Sequence, residues 1–72
     1  MSDFNIPADL KQQMLEERIL QLNTEGYRHE LNLKQFEAVG AGDSAEAEQT
    51  RQAIEIIKTA LAICAEEKEN QP

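Results

Sequence analysis

A single cysteine, Cys64, leaves no partner for an intramolecular disulfide. With only one histidine beside it, no Cys/His cluster at zinc-ligand spacing can form. Seven basic side chains stand against fourteen acidic ones, a net charge of −7. Nucleic-acid binding needs clustered Lys and Arg to meet phosphates, so this balance argues against it. Anionic membrane surfaces are disfavoured for the same reason. The longest apolar-rich run, Ala53 to Ala65, is interrupted by Glu55 and Lys58 and is too short to span a bilayer. Runs of β-branched residues and period-two alternation are missing, which excludes a sheet as the main architecture. No paired acid and base, nucleophile–base arrangement or Gly-rich phosphate loop is present, so the expectation is a protein that is not an enzyme. The lone thiol and the absence of a signal-peptide pattern give an expectation of a reducing, cytoplasmic setting.

What remains is helix. Seventy-two residues make one small domain, for which a lone core is marginal without a disulfide, a metal or a partner subunit. Pro7 suits the first turn of a helix, where a missing N–H costs nothing. From Ala8 to Val39 only Gly26 opposes helix, and "GAGD" (Gly40 to Asp43) is the one clear break. Asp43 with Glu46 three residues later reads as a capping-box variant that starts a second helix. The expected layout is a helix over about 7–39, a turn over 40–43, a helix over about 44–68 and a flexible tail over 69–72. So short a linker makes the helices antiparallel neighbours, an αα-hairpin.

The second helix carries Ala47, Thr50, Ile54, Ile57, Leu61, Cys64 and Lys68 at alternating steps of three and four, the seam of a coiled-coil-like helix. Ala53 and Ala60 flank it, small enough for another backbone to come close, and Ile56 and Ile63 widen the apolar arc. The first helix answers with Leu15, Ile19, Leu22, Gly26, His29, Leu33 and Phe36. Leu20, Tyr27 and Leu31 form a second stripe, roughly on its other side. One hairpin cannot bury all of this. Each wet Leu or Ile forgoes about 1.5–3 kcal/mol of burial, and contiguous apolar patches invite association. The expected architecture is therefore an all-α antiparallel hairpin that pairs into a homodimeric four-helix bundle. The expected interface residues are Leu20, Tyr27, Leu31, Ile56 and Ile63. The alternative is a monomer kinked near Gly26 into a three-helix bundle.

Gly26 sits on the seam, where glycine admits a close neighbour such as Phe36 or Tyr27 of another subunit; the competing reading is a break in the helix. His29, with Glu25 four positions before it, reads as a seam residue hydrogen-bonded across the bundle. Against this stand a symmetric metal site, for which the Glu-x-x-His pattern of di-iron bundles is absent, and a pH-responsive interface. No metal or cofactor is expected. Cys64 reads as a small buried hydrophobe. Glu30/Lys34, Glu25/Arg28, Glu48/Arg51 and Glu55/Lys58 are spaced as helical ion pairs. The excess of carboxylates lies at Asp43, Glu46 and Glu48 and at Glu66, Glu67 and Glu69. They give solubility or a docking surface for a basic protein partner.

In size and hairpin layout the chain resembles the plasmid copy-number regulators that dimerise into a four-helix bundle and bind paired RNA loops. The resemblance is one of architecture and rests on no shared motif, and the acidity here speaks against carrying RNA binding over. The functional expectation is a non-enzymatic protein–protein interaction or structural module acting as a hairpin homodimer. The alternative is an acidic phage- or plasmid-type inhibitor of a basic nucleic-acid-binding host protein.

Overall fold

The computed structural model describes residues 4–70. Two α-helices pack against each other as a hairpin: α1 (Ala8–Ala38) and α2 (Ala45–Glu69). Pro7 precedes α1 as its cap residue instead of entering the first turn, and its carbonyl accepts from the Lys11 N–H at 2.9 Å. Glu69 belongs to α2 and Asn70 caps it. The expected loose tail is therefore helical at its start, and positions 71 and 72 lie outside the described residues.

The turn closes by local chemistry. Gly40 has φ +79°, the left-handed region where a Cβ is costly. Its N–H donates to the Glu37 carbonyl at 3.1 Å, and the Ala41 N–H reaches back to Phe36 at 2.7 Å. This pair of bonds is the Schellman motif, which satisfies carbonyls a helix end would otherwise orphan. Three residues later the chain starts α2, but Ser44, not Asp43, is the cap. The Ser44 hydroxyl accepts from the Ala47 N–H at 3.1 Å and donates to the Ala41 carbonyl at 2.7 Å. Serine wins because its Oγ faces a free amide of the first turn while its own proton fastens the linker. Asp43 is exposed. Arg51 then ties the linker to α2, donating to the Gly42 carbonyl at 2.8 Å while pairing with Glu48 at 3.4 Å.

Gly26 does not break α1, which runs unbroken for 31 residues, so the kinked three-helix arrangement is not the one adopted. The nearest neighbour of the glycine lies within the same chain. A Cβ built on Gly26 would stand 3.4 Å from the Cγ2 of Ile57 on α2. The close neighbour within the chain is thus Ile57 of the facing helix.

The seam residues of α1, Leu15, Ile19, Leu22, Gly26, His29, Leu33 and Phe36, are all buried or half-buried. On α2 the same holds for Ala47, Thr50, Ile54, Ile57, Leu61 and Cys64, whereas Lys68 is exposed and the seam ends at Cys64. Leu22, Ile57 and Cys64 form the core, with Leu15, Ile19, Ala60 and Leu61 packed around them. It is a thin core. Among the described residues no large side chain is completely removed from solvent.

Candidate interaction surface

The five residues expected at an interface are all on the outside: Leu20 is 68% exposed, Tyr27 61%, Leu31 41%, Ile56 70% and Ile63 56%. The two helices do not cover them, because each helix turns a different stripe inward. At about 100° per residue, Leu20, Tyr27 and Leu31 lie roughly 150° round α1 from the centre of its seam. They point away from α2. Ile56 and Ile63 lie roughly 130° round α2 from its own seam. The hairpin brings these two sets to different faces and does not merge them into one patch.

The α2 face is the better built of the two. Ile56 lies between two shallow grooves, one bordered by Glu48, Arg51, Gln52 and Glu55, the other by Glu55, Thr59, Ala60 and Ile63. Ala53 and Ala60 are half-buried at its edge, where it meets the seam. The Thr59 hydroxyl is turned back onto the Glu55 carbonyl at 3.0 Å, so it makes no demand on an outside partner. Near the open end of the hairpin, Ile6, Met14 and Leu15 line a wider groove with the stems of Lys11 and Arg18 and with Glu67 from α2. Met14 is 50% exposed there. Sequence reasoning did not single out this apolar end, since Met14 lies off both stripes; the packing of Glu67 beside it is what brings α2 into the same groove.

Charges are arranged sparsely. Of the four expected ion pairs, Glu48–Arg51 and Glu55–Lys58 close at 3.4 and 3.6 Å. Glu25/Arg28 and Glu30/Lys34 are not among the ion pairs of the described residues. The first two are well exposed and contribute at most a few tenths of a kcal/mol each. Arg51 does more than its helical spacing predicts. Its distal contact to Gly42 spans nine residues, beyond the reach of any helical-pair rule.

His29 is half-buried on the seam and Cys64 is buried. Cys64 packs in the core with Leu22 and Ile57, a cluster that does not include His29, so the one thiol and the one imidazole do not make a joint site. Among the described residues no three His, Cys, Asp or Glu side chains gather as a metal would require, and no helix is long and apolar enough to cross a membrane. No protein-family model matches the chain, and comparison with curated proteins and with solved structures returned no match.

Proposed function

We propose that this protein is a non-enzymatic interaction module that works as a homodimer of helical hairpins. The observation that carries the reading is the exposure of Ile56 and Ile63, 70% and 56%, on a helix whose seam is already occupied by α1. Isoleucine is among the residues most often found inside folded proteins. Two, seven residues apart along one exposed face, form a patch that association would cover. Area supports the same reading. The accessible surface is 5775 Å² for an 8.1 kDa chain, whereas a compact monomer of that mass exposes about 4,500 Å². The surplus of roughly 1,300 Å² exceeds the ~800 Å² per partner of a standard interface. A hairpin 49 Å long and 17–18 Å across has little interior of its own, and a second hairpin supplies one.

Sedimentation equilibrium over a wide concentration range tests this. A mass of twice the chain, falling toward one chain on dilution, is expected. A single-chain mass at every concentration, with full helical content, refutes it. The biological partner of such a dimer is accessible by affinity purification from the native source.

A further inference from the structure

We propose that the second copy docks α2 against α2 in antiparallel fashion, about a two-fold axis level with Lys58; this rests on the homodimer reading and specifies its surface. The argument begins with a second series on α2 at steps of four and three: Gln49, Ala53, Ile56, Ala60, Ile63 and Glu67. Its centre lies about 100° round the helix from the seam, close to the quarter turn that separates two neighbours in a four-helix bundle. Within the series small and large alternate, Ala53 and Ala60 against Ile56 and Ile63.

A two-fold interface must be self-complementary: if residue i meets j, then j meets i. Antiparallel packing centred at Lys58 satisfies this with size. Ile56 meets Ala60 of the partner subunit, and Ile63 meets Ala53 of the partner subunit. Each large side chain faces a small one, the pattern that lets two layers interdigitate without voids or overlap. The outermost pair is Gln49 with the partner's Glu67, an amide donor facing a carboxylate acceptor. A parallel pairing instead sets Ile56 and Ile63 against their own copies and leaves alanine opposite alanine, giving bulges and gaps by turns.

Charge selects the same face. A chain of net charge −7 repels its copy wherever carboxylates meet. From Gln49 to Ile63 this series carries no charge, and the rim positions Gln52 and Thr59 are also neutral. Glu48 and Glu55 stand at the margin, and each is engaged by a cation of its own helix, Arg51 at 3.4 Å and Lys58 at 3.6 Å. The other exposed stripe, on α1, is bordered by charges of both signs, Glu16, Glu17, Arg28, Glu30 and Lys34, and Thr24 alone, not an alternating set of alanines, is interleaved with Leu20, Tyr27 and Leu31. It lacks both the self-fitting sizes and the neutral rim. Met14, beside Glu67 in the open-end groove, extends the α2 face onto α1 and adds apolar cover at its end.

The test combines sedimentation equilibrium with disulfide trapping on the full chain. Ile56→Glu is expected to weaken self-association at least tenfold, while Leu20→Glu leaves it within about twofold; both sites are exposed, and circular dichroism checks that helicity is kept. In a Cys64→Ala background, Ala53→Cys combined with Ile63→Cys is expected to give a covalent dimer under mild oxidation. Neither single cysteine variant should do so, because the antiparallel register separates each position from its own copy. An Ile56→Glu chain that still dimerises as tightly as the wild type overturns the α2–α2 surface, and so does loss of the dimer in Leu20→Glu. Efficient self-crosslinking of Ala53→Cys or Ile63→Cys alone overturns the antiparallel register. In each of these cases a dimeric wild type leaves the homodimer reading standing. A monomeric wild type removes both.

Discussion

Replacing Gly26 by alanine sets two magnitudes of opposite sign against each other at one seam position. In the middle of a 31-residue helix, glycine costs about 0.5–1 kcal/mol relative to alanine, because its unfolded backbone has more freedom to lose. The opposing term is contact with Ile57. An added Cβ stands 3.4 Å from the Ile57 Cγ2, the near edge of ordinary van der Waals contact. The atom it meets is the end of a side chain, which can yield by a few tenths of an ångström at little cost. Propensity wins, and Gly26→Ala should stabilise the fold by about 0.5–1 kcal/mol. For a domain of this size that raises Tm by about 2–8 °C. Gly26→Leu, whose branch cannot fit the same space, should destabilise by about 1–3 kcal/mol. Thermal and urea unfolding followed by circular dichroism measures both, at one matched protein concentration because association feeds into apparent stability. A Gly26→Ala variant less stable than wild type by 1 kcal/mol or more would refute the reasoning and make the glycine a requirement of helix approach.

Leu22→Ala and Ile57→Ala remove the middle of a core that has little else, and each should cost about 2–4 kcal/mol; urea titration reads the loss, and a cost under about 1 kcal/mol would mean the hairpin does not close on these residues. Ser44→Ala deletes the acceptor for the Ala47 N–H and the donor to Ala41, for about 1 kcal/mol, whereas Asp43→Ala should change stability by less than half that. A reversed order in the same melts would return the cap to Asp43. Gly40→Ala places a Cβ at φ +79° and should cost about 1–2 kcal/mol, although nothing lies within 4 Å of that Cβ; an unchanged Tm would show that the turn relaxes. Cys64, 8% exposed, should react with a thiol reagent far more slowly than the unfolded chain, and equal rates would place it outside the core.

Much of this molecule was legible in its residues. The three/four spacing of Leu15 through Phe36 and of Ala47 through Cys64 determined which side of each helix is covered, because a 3.6-residue period leaves one continuous apolar stripe to bury. Gly40 marked the turn for an equally local reason, since a positive φ is cheap only without a Cβ. The tertiary structure decided what depends on two segments meeting. Ser44 displaced Asp43 as the cap because its hydroxyl also reaches Ala41, and Arg51 became a clasp only once the linker folded over it. Gly26 met Ile57, thirty-one positions away in sequence. Above all, each helix held a second apolar stripe, and spacing along one helix cannot say whether the leftover stripes of the two merge into one patch. Packing settled that by bringing the longer seams face to face, which left Leu20, Tyr27 and Leu31 on one side and Ile56 and Ile63 on another.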